Sequence, residues 1–150
     1  MTSILGIILL LIPTTNYPSD IVTPVFEWVD IPDQTNITFV FHIERATIYQ
    51  AVPWQTNADN FTTASGFKLN TNYNHRQYNL LAVSRDLLKV IPYGSEVIIE
   101  GTNSNYDGVW YVYDTMNRRY TMTIDFLTNP GTPNELFTDV RLIYERNIDL

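Results

Sequence analysis

The sequence predicts an all-β fold of short strands and long loops, as in a small barrel. Three observations carry that expectation. Residues 37–49 alternate with a period of two, with Ile37, Phe39, Phe41 and Ile43 on one face and Thr38, Val40, His42 and Glu44 on the other. Later apolar runs are four to seven residues long and are separated by turns rich in Asn, Gly and Pro. No stretch carries the apolar repeat of a helix of ordinary length.

The elements follow in chain order. Ile4 to Ile12 is an apolar run broken only by Gly6 and followed by Pro13. Its nine residues are too few for a stable membrane span, which needs about 20. The length suits the core of an export signal, yet no Lys or Arg precedes it and no Ala-x-Ala site follows. A retained element, buried against its own domain or a neighbouring subunit, is the alternative. Residues 13–35 are rich in Pro, Thr and Asp and carry one short apolar patch, Val25–Val29. Residues 53–79 lack periodicity and read as loop. Leu80–Val83 is a short strand, and Ser84–Val90 forms a helical turn with Ser84 as its cap. Ile91–Gly94 reads as a turn, Glu96–Glu100 as a strand, and Asn103–Gly108 as a turn before a strand at Val109–Tyr113. Strands at Thr121–Leu127 and Val140–Tyr144, around a loop at Pro130–Pro133, complete the set.

A chain of 150 residues is long enough for one domain with a real core. The net charge of −7 repels phosphate backbones, so no nucleic acid is expected as a partner. The absence of cysteine removes disulfides, thiolate catalysis and Cys-type zinc sites together. His42 and His75 are the only histidines and lie far apart in sequence, so neither a triad nor a metal site finds support in spacing. No cofactor is expected.

Carboxylates are the remaining chemistry. Asp114 ends the aromatic strand Val109-Trp110-Tyr111-Val112-Tyr113, Asp125 follows at a spacing of 125 − 114 = 11, and Asp86 lies upstream. An Asp within strand formers is costly unless it is hydrogen-bonded, paired or used. Each also has a plainer reading: Asp114 and Asp125 as acceptors in turns, Asp86 as a surface carboxylate. Trp54, Tyr73, Tyr78, Tyr106 and Trp110 either stack on sugars or fill the core.

The order of the pieces resembles the 3D domain, a family named for three aspartates. Its usual pattern runs T-A-Y, T-A-T-G, A-V-D-P, I-P-L-G-T, D-T-G-G and I-D. The counterparts here are Ala46-Thr47-Ile48-Tyr49, Thr62-Thr63-Ala64-Ser65-Gly66, Ala82-Val83 with Asp86, Ile91-Pro92-Tyr93-Gly94-Ser95, Asp114-Thr115 and Ile124-Asp125-Phe126. The resemblance covers about residues 45–146. The chain departs from the pattern where Met116 and Asn117 replace the glycines of D-T-G-G, followed by Arg118-Arg119, and where Ser84-Arg85-Asp86 replaces the end of A-V-D-P. These variants resemble those of a Bacteroidetes and phage subfamily.

The resemblance implies a six-stranded double-psi β-barrel at 45–146, after an apolar segment at 1–12 and an extension with a strand at 13–44. It implies kinship with membrane-bound lytic transglycosylase A and the stationary-phase survival proteins, and so cleavage of the MurNAc–GlcNAc bond of a peptidoglycan glycan strand in the cell envelope. Asp114 takes the catalytic position as single acid/base. It protonates the glycosidic oxygen, then accepts the proton of the C6 hydroxyl that attacks the anomeric carbon. Asp125, Asp86 and Thr63 take supporting positions, and Tyr113, Thr115 and Asn117 are the expected substrate contacts. Arg118 and Arg119 are expected to point away from Asp114 or toward a substrate carboxylate. The alternative is a non-catalytic double-psi barrel that binds cell wall or serves as a subunit of a larger assembly such as a virion, joined through residues 1–44.

Overall fold

A computed structural model describes residues 36–147 apart from 54, 57, 58 and 73. The apolar segment 1–12, the Val25–Val29 patch, Trp54 and Tyr73 therefore lie outside the described residues. The fold is all-β. Eight strands form one mixed sheet: β1 (Asn36–Ile43), β2 (Arg45–Gln50), β3 (Leu80–Val83), β4 (Glu96–Glu100), β5 (Gly108–Thr115), β6 (Thr123–Thr128), β7 (Leu136–Phe137) and β8 (Val140–Asn147). A four-residue helix, α1 (His75–Tyr78), and a 3-10 turn at Leu87–Lys89 are the helical elements. Neither is long or apolar enough to cross a membrane. The order across the sheet is β1-β8-β4-β5-β3-β6-β2-β7. The pairs β2·β6 and β3·β5 are parallel, and the other pairs are antiparallel.

The single strand expected over residues 37–49 is two strands. Ile43 ends the buried odd-numbered face of β1, whereas Ala46, Ile48 and Gln50 make the buried face of β2 even-numbered. Glu44 is the bend between them, and its N–H donates to the Met122 carbonyl at 2.9 Å. The break has a global consequence. β1 and β2 stand at the first and seventh positions of the sheet. In a flat sheet they would be about 29 Å apart, yet one residue joins them, and one residue spans at most about 3.6 Å. The sheet must therefore curl enough to bring the end of β1 to the start of β2, although no strand pairing among the described residues closes it.

The core agrees with that curl. One apolar cluster takes side chains from every strand, among them Ile43, Ala46, Leu81, Val97, Val112, Phe126, Phe137 and Leu142. Phe126 lies at its centre, with ring centroids 4.9 Å from Tyr106, 4.7 Å from Trp110 and 6.2 Å from Phe137. Trp110 donates its indole N–H to the Tyr106 carbonyl at 2.8 Å, which satisfies its one polar atom in the interior. Trp110 and Tyr106 are thus core residues, not sugar-stacking ones. On the outer face, Val40, Ile143, Ile98 and Val109 stand in register across β1, β8, β4 and β5.

Other expectations need correction. Ser84 does not cap the 3-10 turn; its hydroxyl accepts the Thr123 N–H at 3.2 Å, and Asp86 occupies the cap position without a side-chain cap bond. The short β7 has no counterpart in the sequence pattern. It pairs with β2 through two residues of a stretch with no alternation to read. The strand at Val109–Tyr113 is longer, running to Thr115, so Asp114 lies inside β5 rather than after it.

Truncating Phe126 to Ala should cost about 3–5 kcal/mol, because a fully buried ring is replaced by a cavity that rigid strands cannot collapse. Denaturant unfolding of the variant should show a lowered midpoint at unchanged slope.

Candidate active site

The sheet has a second face over β5, β3, β6 and β2. A small second core of Ala51, Leu69, Leu80 and Leu127, with Phe67, Tyr78 and Tyr113 against it, covers part of that face. Beside it lies a cleft of about 700 Å3 whose lining includes Asp114, Asp125, Ala82, Thr63, Arg85 and Arg119.

Register explains how two carboxylates reach the cleft floor. Ala82 of β3 is the partner of Asp114 on one side and of Asp125 on the other. Asp125 is in turn the partner of Thr47 on β2. Asp114, Ala82, Asp125 and Thr47 therefore form one row across four strands. Residues of one row project to the same face, and two strand spacings put the two aspartate Cα atoms about 10 Å apart. Ala82, with only a methyl group, leaves the space between them open.

The row exists because of an irregularity. The pairing runs Leu81↔Val112 and then Ala82↔Asp114, so Tyr113 has no partner on β3. This β-bulge shifts β5 by one residue, and a one-residue shift exchanges faces. Without it Tyr113 would stand where Asp114 stands. With it Tyr113 packs on Phe67, ring centroids 4.9 Å apart, and is absent from the cleft lining. The expected substrate contact of Tyr113 is thus replaced by a packing role.

Asp114 is fully engaged. Its Oδ1 accepts the N–H groups of Ala64 and Thr115, each at 2.9 Å, and its Oδ2 accepts the Tyr49 hydroxyl at 3.1 Å. The Ala64 donor comes from the tip of a tight hairpin in which Thr63 N–H bonds Phe67 O and Gly66 N–H bonds Thr63 O, each at 2.9 Å. Gly66 closes this turn at φ +86°, a conformation that favours glycine. Thr63 itself is buried, its hydroxyl 2.9 Å from that of Ser65. The Tyr93 side chain of the Ile91–Gly94 turn also approaches: burial first, then the charge of Asp114, push its hydroxyl above the ordinary value.

Asp125 is different. Its carboxyl is raised from 3.8 to about 6, chiefly by burial, against the lowering effects of the Thr47 hydroxyl bond and the Arg45 charge, with Asp114 adding to the rise. Thr47 donates to Oδ1 at 2.8 Å. Asp59, at the same cleft, is held below the ordinary carboxylate range by the Thr62 side chain and the Phe61 N–H. Burial thus drives Asp125 toward the neutral form, whereas Asp59 is held charged.

Asp86 is not part of the cleft lining. Its Oδ2 accepts the Met122 N–H at 2.9 Å. Burial disfavours its charge, but the Ser84 side chain and the Met122 N–H outweigh this and hold its carboxyl low. Met122 adopts φ +45°, and its carbonyl receives Glu44. Asp86 thus supports the strand switch rather than the chemistry. Thr115 and Asn117 line the cleft as expected, although the Thr115 hydroxyl is bound to Val83 O at 3.1 Å and Asn117 Oδ1 accepts the Arg119 N–H at 3.2 Å. Neither Arg118 nor Arg119 is ion-paired with Asp114; Arg119 donates to the Tyr120 hydroxyl at 2.7 Å.

Thr47 and Tyr49 are site residues that sequence reasoning missed. Their alternation with Ala46 and Ile48 marks them as one face of β2, but nothing local shows that this face meets two aspartates. Among the described residues no group of three or more His, Cys, Asp or Glu side chains could hold a metal ion. No protein-family model matches the chain, and comparison with curated proteins gives no match.

Two outcomes test these assignments. The folded state retains a proton on Asp125 between about pH 3.8 and 6 that the unfolded chain has lost. Its contribution is full below that window and disappears as pH rises through about 6, on the order of 3 kcal/mol in all. Asp125→Asn should therefore gain stability relative to wild type from pH 4 to pH 7.5, by urea unfolding at each pH; a constant difference would refute the buried-acid assignment. Asp86→Ala should lose about 1–3 kcal/mol by leaving the Met122 N–H unsatisfied, with hydrogen exchange faster at Met122 and Glu44 than elsewhere.

Proposed function

We propose that this protein cleaves the MurNAc–GlcNAc bond of peptidoglycan glycan strands by the lytic transglycosylase route, on a double-psi barrel of the 3D kind. Support for the barrel is the curl forced at Glu44 together with the two parallel pairs, β2·β6 and β3·β5, inside a mixed sheet. The observation that carries the activity is a pair of carboxyls in one row at the floor of an open cleft, one of them, Asp125, raised to about 6. Pushing two carboxyl environments apart is how a site holds an acid and a base at one pH.

The expected single acid/base, Asp114, becomes one member of a pair in this reading. Asp125 Oδ2 has no hydrogen-bond partner among the described residues, so a proton there is directed to a ligand. Asp125 gives that proton to the glycosidic oxygen as the bond from the MurNAc anomeric carbon breaks, releasing the GlcNAc 4-hydroxyl. The carboxylate of Asp114 stabilises the developing oxocarbenium charge and accepts the proton of the C6 hydroxyl. That oxygen bonds to the anomeric carbon and closes the 1,6-anhydro ring. Solvent then returns the proton from Asp114 to Asp125. No water attacks, so the spacing that a hydrolytic pair needs for one does not apply.

Digestion of purified sacculi tests the reading. Wild type should release anhydro-muropeptides, with kcat/KM falling about tenfold per pH unit above about 6 as Asp125 ionises. Asp114→Asn and Asp125→Asn should each lose at least about a hundredfold. Asparagine keeps an acceptor for Ala64 and Thr115, so the loss would be chemical rather than structural. Wild-type binding to sacculi without release at any pH would instead favour a wall-binding or virion subunit.

A further inference from the structure

The two places where the chain leaves the 3D pattern both bring an arginine to the cleft: Arg85 in the stretch after β3, and Arg119 in the loop after Asp114. We infer that Arg85 and Arg119 form an anion subsite that selects glycans bearing a carboxylate beside the cleaved bond. The inference rests on the cleft being a glycan site.

Neither arginine is ion-paired among the described residues. The one ion pair among the described residues joins Arg141 of β8 to Glu100 of β4. The cation acting on Asp125 is Arg45, not Arg85 or Arg119. Both side chains are solvent-exposed, so neither fills the core. Two unpaired guanidinium groups at one cleft, in a chain of net charge −7, are an electrostatic feature for an incoming anion. Arg119 is also held in place. Its guanidinium carbon lies 4.8 Å from the Tyr120 ring centroid and its Nη2 donates to the Tyr120 hydroxyl, which leaves its remaining N–H groups for a planar carboxylate. The cleft aspartates repel an anion, so the charged group of the ligand is best met by the guanidinium groups.

Peptidoglycan offers two such carboxylates: the lactyl group of a MurNAc that carries no stem, since an attached stem converts it to an amide, and the acidic groups of the peptide stem. Binding distinguishes them without requiring turnover. Titration calorimetry would use three probes: a stem-free GlcNAc–MurNAc tetrasaccharide, the same glycan with tripeptide stems, and neutral chitotetraose. Wild type should prefer an anionic probe to chitotetraose, and the preference should shrink as salt rises. Arg85→Ala and Arg119→Ala should each weaken the anionic probe about fivefold to tenfold and leave chitotetraose unchanged, with Arg119→Lys intermediate. Loss on the stem-free probe assigns the lactyl carboxylate; loss only on the stem-bearing probe assigns the stem. Equal binding of neutral and anionic glycans by wild type, or an unchanged preference in both alanine variants, would overturn the subsite. Anion-selective binding without release of anhydro-muropeptides would retain the subsite and remove the catalytic reading. Circular dichroism melts of the variants should match wild type, since neither side chain is buried.

Discussion

One residue, Glu44, sets the shape of this protein. It joins the first strand of the sheet to the seventh, so the sheet must bend to bring these two strands together. The bend is held by a short chain of hydrogen bonds: Glu44 N–H to the Met122 carbonyl, and Met122 N–H to Asp86. Met122 is itself in the left-handed region, which a non-glycine residue occupies only when its surroundings hold it there. The curl then defines two environments. Inside is a dry core fed by all eight strands. Outside, over β5, β3, β6 and β2, there is room for polar chemistry.

What the outer face does with that room follows from one bulge. Skipping Tyr113 exchanges an aromatic ring for a carboxyl in the row with Ala82, Asp125 and Thr47. The same skip sends Tyr113 into the second core, where it packs on Phe67. Packing on one side and the site on the other are thus a single event of register. The two aspartates then receive unequal treatment. Asp114 has three donors, two of them backbone N–H groups, whereas Asp125 has one hydroxyl donor and a carboxyl that burial pushes up.

Strands were the most legible feature of the sequence, because apolar alternation and turn residues are local signals. Residues 80–83, 96–100 and 140–144 lie within β3, β4 and β8. The phase change at Glu44 was visible in principle, since Ile43 is odd-numbered and Ala46 and Ile48 are even, but a continuous strand explained the same residues more simply. The bulge left no mark at all: Val-Tyr-Asp-Thr reads as a regular strand end. Thr47 and Tyr49 were hidden for a related reason. Their importance comes from parallel pairing of β2 with β6, a contact between residues 78 apart for Thr47 and Asp125. Asp86 misled because a motif records that an aspartate is present, not which way it faces. Its carboxyl holds a backbone N–H, and its contribution is to conformation.

The loop from Met116 to Met122 shows why a departure from a pattern need not be a loss of order. Glycines at 116 and 117 would leave the chain beyond Asp114 free to move. Here the loop is fixed at both ends and in the middle. Met116 is buried, and its N–H bonds Val83 O at 3.0 Å. Asn117 accepts the Arg119 N–H through its side chain and the Tyr120 N–H, at 3.0 Å, through its carbonyl. Met122 is tied to Asp86. A guanidinium on a mobile loop would lose side-chain and backbone entropy on every encounter with a ligand. On this loop much of that cost is met by folding, so the position of Arg119 at the cleft is a property of the fold. Bulky residues replace small ones, and the cleft lining gains a positive charge on a fixed loop.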